Sequence, residues 1–151
     1  MSRETEAVTY YRADGTLGGL APGGIYADSL LTLAGITDAT QTPDVWTGGV
    51  FRAAVVVRQR APIPRYRVHD EPTRTVDTTQ MLECYIYGLT AAAIEAIANR
   101  LYLLTQGHYF TGAFAATNQP GLPLMDAPGL TEVGVQMQRD DYLITSIRTA
   151  A

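Results

Sequence analysis

The sequence predicts a single α+β domain, in which a mainly antiparallel sheet of four to five strands carries helices on one face. Residues 50–60 (VFRAAVVVRQR) are rich in β-branched side chains, and residues 78–88 alternate in polarity, as strands do. Residues 89–107 repeat apolar side chains at helical spacing. Only about one strand–helix–strand crossover is visible, which disfavours a doubly wound parallel sheet. At 151 residues, we expect one domain over residues 1–151.

A short helix is predicted first, between residues 2 and 12. Ser2 is positioned to cap it, and an apolar stripe follows one face: Ala7, Tyr10 and Tyr11. Residues 15–24 are glycine-rich and predict a turn that delivers Ile25 and Tyr26 to a short extended segment. Residues 27–48 fit either a helical turn or a strand, followed by a loop.

The strands predicted at 50–60 and 78–88 are joined by a linker with three prolines and several charges. This linker is too long for a tight hairpin, so we expect a protruding arm at about 59–77. In the second strand one face is apolar: Leu82, Cys84 and Ile86. The other face carries a mixed set: Thr79, Met81, Glu83, Tyr85 and Tyr87.

The main helix is predicted over Leu89–Gly107, with Thr90 as its N-cap. Its apolar face consists of Ile94, Ile97, Ala98, Leu101 and Leu104. Residues 116–129 contain three prolines and predict a loop. Two final strands, 130–138 and 141–149, are expected to be joined by a tight turn at Arg139-Asp140-Asp141.

The composition excludes several kinds of chemistry. All 11 basic residues are arginine, which rules out a lysine Schiff base and the lysine of a P-loop. A single cysteine rules out an intramolecular disulfide and a thiolate zinc cluster. The net charge of −4 disfavours generic nucleic-acid binding through a basic face. Charged residues make up 17% of the chain, against about 25% on average, which fits burial against partners.

Candidate binding and catalytic residues each have a structural interpretation. The segment from Gly19 to Gly24 has P-loop spacing, but Ile25 and Tyr26 stand where lysine and a hydroxyl residue are needed. We therefore interpret these glycines as a backbone turn. Cys84, in mid-strand on the apolar face, is interpreted as a buried structural cysteine.

The histidines and the paired aspartates are interpreted in the same way. His69 lies in a charged loop and is predicted to be solvated, and His108 follows a helix C-terminus, where capping or packing is expected. Asp140 and Asp141 lack the ligand spacing of a calcium loop and are predicted to form a solvated turn. The sequence thus offers no catalytic residue, metal ligand or cofactor site, and we expect a protein that is not an enzyme.

Candidate contact residues cluster in the arm. The only local basic cluster consists of Arg58, Arg60, Arg65 and Arg67, with Tyr66 between the last two. Arginine and tyrosine are favoured anchors at protein interfaces, so this cluster predicts docking onto a neighbouring subunit. Binding of nucleic acid and a plain solvated loop are the alternatives. Glu83 lies on the second face of its strand, which fits an interface, a channel wall or a solvent face.

Several segments together resemble a known family. They are the turn GGIY, the strand VFRAAVVV, and the unit QMLECYIYGLTAAAIEAIANRLYLLTQG, which contains ANRLYLL at Ala98–Leu104. In this order, over most of residues 20–110, they are similar to the tail terminator, or tail completion, proteins of tailed phages. The arm at 61–76 is longer than the resemblance leads one to expect. Ile25 and Tyr26, in the turn GGIY, are further candidate contact residues.

The resemblance implies a structural virion protein at the tail–neck junction, made in the host cytoplasm, with no membrane and no cofactor. Such proteins form a homo-oligomeric ring, usually hexameric, that caps the tail tube and ends its polymerisation. The ring joins the tail tube protein to the head–tail connector or stopper, and DNA passes through its lumen as cargo. A head-closure (stopper) protein or another neck or minor tail subunit is the first alternative. A small nucleic-acid-binding adaptor is the alternative of another class.

Overall fold

A computed structural model describes residues 2–28, 45–47, 49–60, 63–65 and 74–150, with residues 63–65, 74–77, 132 and 147–150 described by their backbone only. The helices are α1 Arg3–Arg12, α2 Gly15–Leu20 and α3 Ala91–Thr105. The strands are β1 Gly24–Ala27, β2 Trp46–Thr47, β3 Val50–Phe51, β4 Ala54–Gln59, β5 Ile63–Arg65, β6 Arg74–Gly88, β7 Thr117–Asp126 and β8 Gln136–Ala150.

The main sheet has the strand order β1-β4-β6-β8-β7, and β5 pairs with β6 beside β4. Among the described strands of this sheet, β1 and β4 run parallel and the other pairs are antiparallel. The short strands β2 and β3 form a separate antiparallel pair. The predicted α+β class and the mainly antiparallel sheet are confirmed, with six strands in the main sheet of the described residues where four to five were expected.

The two faces of the sheet carry separate cores. One face, called the helix face here, packs against all three helices and holds the larger cluster, to which Leu82, Cys84 and Ile86 of β6 contribute as predicted. Burial raises the pKa of the Cys84 thiol, which confirms a buried structural cysteine. The second face holds a smaller cluster: Val45, Phe51, Ala54, Val56, Tyr85, Tyr87, Ala127, Leu130, Val135 and Met137.

The predicted helix starts are confirmed by their caps. The Ser2 hydroxyl accepts a hydrogen bond from the Thr5 backbone amide (3.2 Å), and the Thr90 hydroxyl accepts one from Ala93 (3.2 Å). In contrast, the turn predicted at 15–24 is partly wrong, because Gly15–Leu20 forms α2. Asp14 caps this helix by accepting a hydrogen bond from the Leu17 amide (2.8 Å).

The loop predicted over residues 116–129 is also wrong, because Thr117–Asp126 is an edge strand. Prolines are tolerated there because an edge strand need not donate on its outer side, and the pairing with β8 shifts register twice along it. Gly121 is required at one shift, since a Cβ atom at that position would collide with the carbonyl oxygen of Arg139.

The tight turn predicted at residues 139–141 is wrong as well, because β8 runs without interruption from Gln136 to Ala150. The chain turns earlier, through a 3₁₀ turn at Thr131–Val133 and Gly134, whose φ is +74°. Three consecutive charged residues can remain in mid-strand here because ionic and hydrogen-bonding partners satisfy them on both faces of the sheet.

The root of the predicted arm is a β-ribbon. Ile63 pairs with Thr79 and Arg65 with Asp77, while the first residues of β6 pair with the last residues of β8. The arm therefore continues the sheet along β6 and β8. Residues 66–73, with Tyr66, Arg67 and His69, and most of 27–48 lie outside the described residues.

Candidate assembly surface

The glycine pair before Ile25 forms a tight backbone turn. The amide of Gly23 donates to the carbonyl of Ala53 (2.8 Å), and a Cβ at Gly23 would lie 2.6 Å from the carbonyl oxygen of Arg52. Gly24 has φ +108°, which favours glycine. The Tyr26 hydroxyl folds back and donates to the Gly23 carbonyl (2.6 Å). The turn predicted from the sequence is confirmed, and its role is to start the edge strand β1.

Ile25 and Tyr26, the two predicted contact residues of β1, lie on opposite faces. Ile25 is 3% exposed in the helix-face core, whereas Tyr26 is half-buried beside the second-face cluster. Arg12 donates from Nε to the Ile25 carbonyl (2.7 Å), and its guanidinium lies 5.7 Å from the centre of the Tyr26 ring. Arg12 thus occupies a backbone acceptor of the edge strand, so a contact at this edge would rely on the Tyr26 side chain.

A network of four charges lies on the second face, away from the helices. The Glu83 carboxylate accepts a hydrogen bond from Arg60 (3.0 Å) and forms an ion pair with Arg139 (3.1 Å). Arg139 also donates two hydrogen bonds to Asp141 (2.9 and 3.0 Å). Glu83 and Asp141 are opposite each other in the β6–β8 register, which places both carboxylates within reach of one guanidinium.

Burial and pairing set the electrostatics of this network. Burial raises the pKa of Asp141, and the hydrogen bonds from Arg139 oppose that rise. The hydrogen bond and charge of Glu83 raise the pKa of Arg60. Glu83 is 1% exposed, while the Arg60 side chain is 56% exposed above it. At this point the subunit therefore presents an arginine to its surroundings, and the carboxylate lies beneath.

His108 has a packing role, which is one of the two roles, capping or packing, expected from the sequence. Its ring stacks on Tyr10 with the centroids 4.0 Å apart and the planes 9° from parallel, and Phe110 meets it edge-on. Burial lowers the pKa of His108. The histidine thus helps to hold the loop after α3 against α1.

An open groove of about 640 Å³ lies between α3 and the edge strand β7. Its lining is mainly apolar and amide residues, together with Asp140 and Arg139: Ala98, Asn99, Tyr102, Asn118, Gln119, Pro120, Gly121, Leu122, Pro123, Leu124, Gln138, Arg139 and Asp140. The guanidinium of Arg139 is paired with Glu83 and Asp141. Burial raises the pKa of Asp140, which accepts a hydrogen bond from Gln138 (2.8 Å). No arginine among the described residues pairs with this carboxylate.

The fold is shared with a protein of known structure. A chain described as belonging to the virion of a native gene transfer agent particle matches with a TM-score of 0.55 and 11% sequence identity. The match covers 99% of this chain and 96% of that chain. Neither a protein-family model nor a curated protein matches the sequence.

The predicted contact residues are only partly brought together. Arg58, Arg60 and Glu83 share the second face, since Arg58 is opposite Glu83 in the β4–β6 register. Arg58 is exposed and makes no ion pair with a described residue. Tyr26 lies on the same face, opposite Val56. Arg65 belongs to β5, which is described by its backbone only, and Tyr66 and Arg67 lie outside the described residues.

Two parts of this surface were missed from the sequence. Arg139 and Asp141 were assigned to a turn, so their pairing with Glu83 was not expected. The groove was missed because its outer wall, β7, contains the prolines that predicted a loop. The described residues contain no group of three or more His, Cys, Asp or Glu side chains that could hold a metal ion. None of the helices they form is long and apolar enough to cross a membrane.

Proposed function

We propose that this protein is a structural subunit of a phage-like virion, and specifically the tail terminator. In this role, about six copies form a ring on the finished tail tube, end its polymerisation, and present the joining surface for the head–tail connector. The observation that supports the virion role most directly is the fold shared with a virion chain over 99% of this protein and 96% of that chain. The order of motifs in the sequence supports the narrower assignment to the terminator.

The surface of the subunit fits a role in assembly. The arm continues the sheet along β6 and β8, and Arg58 and Arg60 are exposed near its root. Arginines at such positions are favoured interface anchors. We propose no catalytic step, and the role requires no metal ion or cofactor.

DNA enters this proposal only as cargo. A channel that must release DNA should not hold its phosphates tightly, which fits a subunit with a net charge of −4. Arg60 is already paired with Glu83, so a DNA backbone would compete with a carboxylate for it. This observation favours the terminator over the small nucleic-acid-binding adaptor.

Native mass spectrometry of the purified protein, alone and with purified tail tubes, tests the proposal. We expect a closed oligomer near six times the subunit mass of 16.3 kDa, and rings at one end of the tubes in electron micrographs. A protein that stays monomeric at every concentration and leaves the tubes bare would refute it. A ring that binds the connector and not the tube would instead support the head-closure alternative.

A further inference from the structure

We propose that the groove between α3 and β7 of one subunit receives the arm tip, residues 66–73, of a second copy of this chain. In this arrangement an arginine from the first half of the tip pairs with Asp140, and Tyr66 packs against the apolar wall. The inference rests on the proposed function, because it assumes that copies of the chain assemble with one another.

The groove has the chemistry of a site that lacks its partner. Tyr102 is 47% exposed and Leu124 is 41% exposed on its two walls. Asp140 also lines the groove and is half-buried, with Gln138 as its hydrogen-bond donor, and within the described part of the chain no arginine pairs with it. A partly buried carboxylate is stabilised by a guanidinium with matching geometry. The occupant that fits this groove therefore offers an arginine next to an aromatic or apolar side chain.

The arm tip offers that combination. Its sequence begins Tyr66-Arg67-Val68, directly after Arg65. The chain contains no lysine, so any pairing of Asp140 with a basic side chain of another copy involves arginine or histidine. The acidic pair Asp70-Glu71 follows in the second half of the tip, which is why we place the contact in its first half.

The dimensions of the ribbon make the contact intermolecular. Asp140 is opposite Cys84, and Arg65, the anchor of the tip nearer to the groove, is opposite Asp77, so this anchor lies about 23 Å along β6 from Asp140 at roughly 3.3 Å per residue. The tip is tethered at both ends, by β5 and by β6. Eight residues held at both ends can project only about four residue lengths, or roughly 14 Å. A tip therefore cannot reach the groove of its own subunit.

The edge strand favours docking through side chains. Pro120 and Pro123 have no backbone N–H, and the register shifts break the regular edge of β7. A neighbouring strand would therefore find few donors for continuous pairing. A tip that lies in the groove beside this edge contacts side chains instead. The apolar walls and the charge of Asp140 then determine which segment binds.

Disulfide cross-linking of the full-length protein tests the contact. We would introduce Asn99→Cys on the α3 wall of the groove together with Val68→Cys in the tip, which keeps both Arg67 and Asp140. The native Cys84 is fully buried, so it does not compete. Under mild oxidation we expect covalent dimers and larger species on denaturing gels. They should form at least about tenfold faster than in a control, because docked thiols react at a high effective concentration.

The matched control combines Val68→Cys with Val50→Cys, an exposed position on β3 away from the groove. Native mass spectrometry on the same samples reports whether they assemble. Oligomers that cross-link no faster than the control would overturn this inference and leave the proposed function standing. A protein that never forms oligomers would refute the proposed function itself, and this inference with it.

A charge exchange provides a second test. Asp140→Arg should abolish assembly, and adding Arg67→Asp should restore it, because the exchanged pair can again form an ion pair. Circular dichroism verifies that each variant folds, and Asp140→Asn should weaken assembly less than Asp140→Arg. Assembly that survives Asp140→Arg in a folded protein would contradict the contact.

Discussion

Two constraints require glycine at position 24: its backbone conformation and the close approach of Tyr26. Its φ of +108° lies in the region that disfavours every other residue, and a Cβ there would lie 2.5 Å from the Tyr26 hydroxyl. We expect Gly24→Ala to lower the free energy of unfolding by about 1 to 3 kcal/mol in urea titrations. Gly19→Ala is the control, because α2 has open space at Gly19. It should stabilise the protein by roughly 0.5 to 1 kcal/mol. Equal effects of the two variants would contradict this account of the turn.

Glu83 and Arg60 should respond very differently to removal, although they form one ion pair. Glu83→Ala removes one of the two carboxylates paired with the mostly buried Arg139, so we expect a loss of about 3 kcal/mol in unfolding free energy. Arg60→Ala should change stability much less, since Arg60 is largely exposed and Glu83 keeps its pairing with Arg139. Urea unfolding of both variants measures the difference, and a larger loss for Arg60→Ala would refute this assignment of roles.

The same residues show what a single sequence can and cannot reveal about a site. Glu83 is conspicuous in the sequence because a charge interrupts an otherwise apolar alternation, and this pattern indicates an unusual position. Its partners Arg139 and Asp141 look like turn residues locally, and only the β6–β8 register brings them opposite Glu83. Pairing of this kind depends on contacts distant in sequence, which local patterns do not encode.

Local signals were sufficient for the two helices that carry caps and apolar stripes. Ser2 and Thr90 bind the amides that their positions predict. The short helix α2 was missed because glycines usually mark a turn, and it is held by interactions with Asp14. The strand β7 was missed because its prolines indicate a loop, whereas an edge position tolerates them. Each error arose where tertiary contacts outweighed local propensity.

Asp14 connects α2 to α3, and this connection should depend on pH. Hydrogen bonds from Arg100, and then the Leu17 amide, lower the pKa of Asp14 from 3.8 to about 2. Its folded pKa is therefore below its unfolded value, so its stabilisation is complete above about pH 4 and is lost as the pH falls through 2. Asp14→Asn preserves a capping side chain and removes the charge. The stability difference between wild type and variant should be largest above pH 4 and should vanish near pH 2.

Urea unfolding between pH 2 and pH 7 measures that difference for Asp14→Asn. Asp126→Asn, at an exposed position on the edge strand β7, is the matched control for replacing an aspartate with asparagine. A difference for Asp14→Asn that stays constant down to pH 2 would indicate that the charge of Asp14 does not stabilise the contact between the two helices.

The complete subunit divides into a body with two cores and an arm that extends the sheet beyond it. The described members of both cores belong to the body, and we expect folding and assembly to be separable. Replacing residues 66–76 with Asn-Gly would join Arg65 to Asp77, which are opposite each other in the register, through a two-residue hairpin. We expect this variant to keep a cooperative urea transition close to that of the wild type and to remain monomeric.

Light scattering after size exclusion, together with the urea transition, would measure both properties of this shortened protein. Its control replaces residues 66–73 with a glycine–serine segment of equal length. This segment removes the native side chains of the tip but keeps the length of the arm. If the tip docks through Tyr66 and its neighbouring arginines, both variants should fail to form rings while remaining folded. Ring formation by the shortened protein would show that the body alone carries the subunit contacts. Assembly by the glycine–serine variant alone would instead assign the contact to the backbone of the arm.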